Sequence, residues 1–279
     1  MIKKFLILLA TPILFTSCVH HTQANNKVSS IKEVKSLSSV RQTIKSNNLS
    51  HKDTLVIYDI DDTLITAKHF LGSDRWYHFQ QGKARNAKGI PIKPVKGQLA
   101  KNLYEETIGD TTWLSKSKLS QSDSVKIYNQ TPTDKLIITA RSNEYRSATL
   151  RDLRAEGFKI DQRPLGGEEL LYRFKMKNSR GTTDTVQYSS GILMIKGNNK
   201  GDALLKLLKK INGSYKNIVF IDDGIKNINY MQEALKSTPM NYYGLHFTRI
   251  SKTVESSEAR KSAVGLNRLR DLKHNHFRE

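Results

Sequence analysis

Three short apolar runs in this chain end in groups able to do polar chemistry. TLVIYDIDDTL (54–64) runs into Asp59, Asp61 and Asp62, LIIT (136–139) closes on Thr139, and NIVFI (217–221) gives way to Asp222 and Asp223. Asp59 and Asp61 flank Ile60. Residues two apart share a face of a strand, and just past its end one carboxylate can aim inward while the other reaches over it. A carboxylate can attack phosphorus and form an aspartyl-phosphate, while a second acid protonates the leaving oxygen and later activates water. The two carboxyl groups must differ in protonation, and a two-residue separation lets their surroundings differ.

Bringing Asp222 and Asp223 to the same place raises an electrostatic problem. Two like charges about 4 Å apart repel by roughly 4 kcal/mol at an effective dielectric near 20. A dianionic phosphate cannot approach such a group of acids unaided. A hard dication resolves both difficulties, and Mg²⁺ prefers carboxylate, carbonyl and water oxygens. It would act as charge neutraliser and template. A side-chain cation on the far side of the phosphate completes the balance. Lys200, at the start of a helical stretch, and Lys196 are the two candidates.

Positioning these groups requires a particular set of elements. GILMI (191–195) and YGLHF (243–247) add strand candidates to the three runs above. NEYRSATLRDLRAEGF (143–158) and KGDALLKLLKKI (200–211) carry helical spacing. Ile31, Val34, Leu37, Val40 and Ile44 also recur at helical intervals and predict one amphipathic helix leading into the fold. Strands alternating with helices imply an α/β fold with a Rossmann-like, three-layer parallel sheet. In such sheets ligands bind beyond the carboxyl ends of the strands, where Asp59, Thr139 and Asp222 all stand. Residues 65–130 read as a mostly helical cap inserted after the first strand, including QLAKNLYEE (98–106). Residues 163–190 read as loops or a hairpin, and 30–64 with 131–279 as the core. Asp62 is expected to face solvent or cap a turn, Trp76 to pack inside the cap, and Arg141 to form an exposed ion pair.

The stretch DIDDT (59–63) resembles the DxDx[T/V] signature of the haloacid-dehalogenase superfamily. LIIT, ending in Thr139, is similar to its second motif, Lys200 in NNKGDALLKLL to its third, and IVFIDDGIKN (218–227) to its acidic fourth. The resemblance implies Asp59 as nucleophile and metal ligand. It implies Asp61 as general acid/base offering its backbone carbonyl to the metal, and Thr139 with Lys200 as holders of the phosphoryl oxygens. Asp223 becomes the principal acidic ligand of Mg²⁺, with Asp222 beside it and Asn227 completing a DxxxN form of the motif. The string DIDDTL, LGSDRW, NNKGDALL resembles an uncharacterised family of exported bacterial proteins with this fold. The lipoprotein-like start with DxDxT is similar to class C acid phosphatases. The activity implied is Mg²⁺-dependent hydrolysis of a small phosphomonoester. The alternative is a catalytically silent surface lipoprotein that binds or docks.

The N-terminus addresses location. Lys3 and Lys4 precede an apolar run from Phe5 to Phe15, then Thr16, Ser17 and Cys18. A basic start, a short apolar stretch and small residues make a secretory signal over 1–17, too short to span a bilayer. Cys18 is the one cysteine of the chain, so an internal disulfide is excluded. FTSC resembles the lipobox of bacterial lipoproteins, which implies lipid attachment at Cys18, a polar tether over 18–29, and an exported protein of the bacterial envelope, periplasmic and outer-membrane bound. Lys and Arg exceed Asp and Glu by 46 − 26 = 20. The cations are spread along the chain without an aromatic-interleaved stripe, so the charge does not point to nucleic acid. No HExxH, GxSxG, Walker-type or CxxC pattern occurs.

Overall fold

A run such as Thr54–Tyr58, buried at every position, needs cover on both faces, and a parallel sheet with helices on each side supplies it. The computed structural model builds that arrangement; it describes residues 27–92, 111, 116–160, 162, 164–167 and 170–276. The leader, Cys18 and the 98–106 stretch lie outside these residues. The chain runs β1 (Ser29–Val34), α1 (Ser39–Ser46), β2 (Thr54–Tyr58), β3 (Ile65–Ala67), α2 (Asp74–Gln80), β4 (Ser117–Leu119), α3 (Ser124–Asn129), β5 (Asp134–Thr139), α4 (Arg146–Glu156), β6 (Tyr172–Lys177), β7 (Thr183–Ser189), β8 (Ile192–Met194), α5 (Lys200–Ile211), β9 (Asn217–Asp222), α6 (Ile225–Leu235), β10 (Asn241–Phe247) and α7 (Ser256–His276).

One eight-stranded sheet has the order β1-β10-β9-β2-β5-β8-β7-β6. Strands from β1 to β8 in that order pair in parallel, and the β6–β7 hairpin extends the edge antiparallel. The alternation along β2 divides the core. Val56 and Tyr58 join Val40 and Ile44 of α1, Ile127 of α3 and Leu153 of α4 on one face. Leu55 and Ile57 join Leu204 and Leu207 of α5 and Ile228 and Met231 of α6 on the other. The result is a three-layer, Rossmann-like α/β fold, as the strand pattern requires.

One expectation is overturned. Residues 31–44 do not form a single helix: β1 occupies 29–34 and pairs with β10, and α1 begins only at Ser39. Ile31 packs toward one core face and Val34 toward the other, the natural outcome for residues three apart on a strand. On a helix the same spacing puts both on one face, so the intervals alone suit either element.

Within the segment after β2, β3 and β4 pair antiparallel, and α2 carries Trp76 and Phe79 into a third apolar cluster with Phe70, Ala84, Val254 and Ala259. Trp76 is buried there, packed between this segment and Val254 and Ala259 from the C-terminal part of the chain and not within residues 65–130 alone. α3, at the end of that segment, packs instead into the main core through Ile127 and Tyr128. Among the described residues no helix is long and apolar enough to cross a membrane.

Candidate active site

β2 and β9 are neighbours in register, and the Asp59 N–H donates to the Ile221 carbonyl at 3.0 Å. The two strands therefore release their acids at the same rim of the sheet. Asp59 is 5% exposed and Asp222 fully buried. Carboxylate oxygens of Asp59, Asp222 and Asp223 all lie within 4.8 Å of one another.

Lys200 answers part of that charge. It opens α5, whose N-cap Asn199 accepts from the Gly201 and Asp202 N–H groups. The helix dipole disfavours a cation at this end, so local preference does not explain the residue. Its contacts do: Nζ lies 2.5 Å from Asp59 Oδ1 and 2.6 Å from Asp222 Oδ2, with the side chain 1% exposed. Burial alone would lower its pKa, but Asp222 and Asp59 raise it above the ordinary lysine range and keep it charged. The helix can stand this close because residue 201 is glycine; a Cβ there would meet Ala234 Cβ at 2.5 Å and the Tyr230 carbonyl at 2.8 Å.

Asp222 is fully engaged. Besides Lys200, its Oδ1 accepts from the Gly224 N–H at 2.8 Å and from Asn227 Nδ2 at 3.0 Å. Asn227 thus stands beside the site as a donor that orients Asp222. Lys196, the rival cation, lies exposed near Asp184 at 3.7 Å, away from Asp59.

Asp61 faces a different partner. Arg141 grips it with both arms, Nε to Oδ2 at 3.0 Å and Nη2 to Oδ1 at 2.8 Å. Burial works to raise the Asp61 pKa, and the Arg141 charge and hydrogen bonds outweigh it, holding the carboxyl below the usual range. Arg141 forms the expected ion pair, exposed on the Asp61 side at 45% and covered on its own at 16%. Thr139 ends β5, on the other side of β2, and is buried; its Oγ1 accepts the Arg141 N–H at 3.2 Å. A hydroxyl both gives and accepts, and among the described residues no acceptor for its proton is seen.

The environments of Asp59 and Asp61 therefore diverge. Burial pushes Asp59 well above the ordinary carboxylate range, and Asp222, Asp223 and Asp61 add to this against the pull of Lys200. Asp223 is likewise pushed up to about 7 by burial, with Asp222 adding and Lys252 opposing. Its N–H donates to Thr63 Oγ1 at 3.1 Å, and His246 Nε2 lies 3.1 Å from its carbonyl oxygen.

Sequence reasoning did not anticipate Lys252. Its Nζ lies 2.6 Å from Asp62, 2.8 Å from Asp74 and 2.5 Å from Asp223. Asp62 does not face solvent; it is 4% exposed, adopts φ +56°, and accepts from Thr66 Oγ1 at 2.5 Å. No motif marks Lys252, a lysine in the polar stretch after β10, whereas Asp74 lies in the LGSDRW string.

The rim gathers the carboxylates of Asp59, Asp61, Asp62, Asp74, Asp222 and Asp223 against the cations Lys200, Arg141 and Lys252. Acids outnumber cations, and the donor set is all oxygen. Such a set suits a hard divalent cation, with Asp59, Asp222 and Asp223 as its natural holders.

The model of a family described as "Protein of unknown function (DUF2608)" matches residues 33–275. Comparison with curated proteins finds no match. Among solved structures, the class C acid phosphatase from Bacillus anthracis aligns with a TM-score of 0.38 and 11% identity, covering 82% of this chain and 86% of that one. The same enzyme with tungstate bound aligns with a TM-score of 0.36 and 11% identity over 82% and 85%.

Proposed function

The chain belongs to the DUF2608 family, and from the chemistry of its sheet rim we propose that it is a divalent-cation-dependent phosphomonoester hydrolase with Asp59 as nucleophile. The observation that carries this reading is the pairing of Asp59 with Lys200 and with two further buried or half-buried acids at the carboxyl end of the parallel strands. A buried carboxylate beside one ammonium and two acids is poorly compensated in a structural role. It is well suited to receiving a dication and a phosphoryl group together.

In this reading Asp59, Asp222 and Asp223 hold Mg²⁺, with the Asp61 backbone carbonyl and Asn227 beside them, and the ion supplies charge neutralisation for the acids and the phosphate. Lys200 and Thr139 bind phosphoryl oxygens. An Asp59 oxygen forms a bond to phosphorus as the bond to the leaving oxygen breaks, and Asp61 gives that oxygen its proton. Asp61 then takes a proton from water as the water oxygen attacks phosphorus, and the Asp59–phosphorus bond breaks to release inorganic phosphate. Protons and phosphate balance over the two halves. The substrate class is a small phosphomonoester. The leader and Cys18 support anchorage to a bacterial membrane as an exported lipoprotein, most simply on the periplasmic side of the outer membrane.

A binding protein without turnover is the second reading, favoured by one observation: Arg141 occupies both Asp61 oxygens. The two separate in a single assay. The purified chain hydrolyses a chromogenic aryl phosphate with Mg²⁺ and loses this on chelation, and Asp59→Asn lowers turnover by about a thousandfold or more, as loss of a nucleophile does. Equal turnover by wild type and Asp59→Asn removes the proposal. Absent turnover with metal-dependent heat stability favours the binding protein.

A further inference from the structure

Lys252 lies outside the four motifs, yet its ammonium pairs with three acids, where Lys200 pairs with two and Arg141 with Asp61. We infer that Lys252 is a positioning residue: a tethered cation that fills the cluster of Asp62, Asp74 and Asp223 in the place of a second divalent ion, so that the rim holds a single metal ion and Asp223 is kept for it. This rests on the metal-dependent reading above and deepens it.

The geometry has three parts. First, carboxylate oxygens of Asp62, Asp74 and Asp223 lie within 4.8 Å of one another, and the ammonium reaches one oxygen of each at 2.5–2.8 Å. An ammonium has three donors, and here there is one acid for each. Second, Asp223 belongs to this cluster and to the one it forms with Asp59 and Asp222. Two all-oxygen clusters sharing one carboxylate are what a two-metal site offers. A single charge on a covalent arm closes one of them.

Third, the arm is fixed from both ends. Thr253 O accepts from Arg75 Nη1 at 3.1 Å, Arg75 pairs with Glu258 at 3.0 Å, and the Val254 N–H donates to Arg85 O at 2.9 Å. Val254 and Ala259 pack into the cluster of Phe70, Trp76 and Phe79. Asp74 is the first residue of α2. Seating of the segment around α2 therefore sets where the ammonium stands, and the ammonium sets where Asp223 stands.

The test counts ions. Full-length protein is titrated with Mn²⁺, and the free ion is read by its electron paramagnetic resonance signal. Wild type and Lys252→Arg bind one ion; Lys252→Met binds two, with the spin coupling of neighbouring ions visible at saturation. Adding Asp74→Asn to Lys252→Met returns the count to one. Circular dichroism verifies folding, and Lys252→Gln, expected to bind two, replaces Lys252→Met should that variant not fold. One ion bound by wild type and again by a folded Lys252→Met or Lys252→Gln overturns this inference alone, as does a second ion that survives Asp74→Asn. A wild type that binds no ion overturns the metal-dependent function together with it, and the aryl phosphate assay reads that function separately.

Discussion

Asp61 and Arg141 show how one contact sets the working range of a carboxyl group. The guanidinium holds Asp61 below the usual carboxylate range despite burial. The protonated form needed to donate to a leaving oxygen is therefore scarce near neutrality and grows as pH falls. The proposed reaction would therefore have an acidic optimum, with the dication that Asp59 would help hold keeping Asp59 ionised against its own upward shift. Arg141→Met removes the fork and lets the Asp61 pKa rise, so the alkaline limb of the rate profile, where its acid form is lost, moves to higher pH. The Asp59 limb stays nearly where it was. Lys at this position keeps the charge but not the bidentate grip, and gives a smaller displacement with activity lowered by about tenfold or more. Rate profiles of wild type, Arg141→Met and Arg141→Lys measure this directly. A profile that does not move means that Asp61 does not carry the titrating proton.

At the scale of elements, the site depends on how closely α5 lies against α6. Gly201 allows that approach, because any side chain would press on the Tyr230 carbonyl and Ala234 Cβ. Alanine gains roughly 1 kcal/mol in helix propensity, yet the clash is with backbone and a neighbouring helix, which costs about 1–3 kcal/mol. Gly201→Ala is expected to be destabilised in urea melts, and Gly201→Val more so, with phosphate-ester turnover falling because Lys200 is displaced from Asp59. The strands carrying the chemistry were legible, since a fully buried parallel strand is an unbroken apolar run, and its acids or threonine stand where the run stops. Lys200 was legible as the start of an apolar-striped helix. β1 was not, because Ile31 and Val34 serve opposite core faces at an interval that also suits a helix. Lys252 was not legible for a related reason. Its partners Asp62, Asp74 and Asp223 are spread over 161 residues, and only folding brings them together. The role of Asn227 was read from its place in the motif, whereas its hydrogen bond to Asp222 depends on the turn into α6.

Across the whole molecule, the central sheet carries a pH liability that extends beyond the site. Tyr58 on β2, Tyr188 on β7 and Tyr242 on β10 are fully buried. Their hydroxyls lie 3.0 Å from Thr131 Oγ1 and donate to Leu165 O at 3.0 Å and Ile228 O at 2.8 Å, respectively. Burial raises all three, Tyr188 to about 12 and the others further. An acid raised in the folded state contributes nothing to the slope below its unfolded pKa, and its stabilisation is lost as pH climbs through the folded value. Lys200 and Lys252, bases raised by their carboxylates, act in the same direction. Each tyrosine contributes about 1.4 kcal/mol per pH unit, so the three together remove roughly 4 kcal/mol per unit above about pH 10. A domain stable by about 5–15 kcal/mol then unfolds cooperatively within a few units. The buried rings add a late step of tyrosinate absorbance that coincides with the loss of helix signal, after the more exposed tyrosines have ionised at about pH 10. Tyr58→Phe removes its own share, about 1.4 kcal/mol per pH unit, at the cost of its bond to Thr131. Urea midpoints measured upward from pH 9 in wild type and Tyr58→Phe yield both slopes. A slope in Tyr58→Phe equal to that of wild type would mean that Tyr58 does not carry its share of the liability.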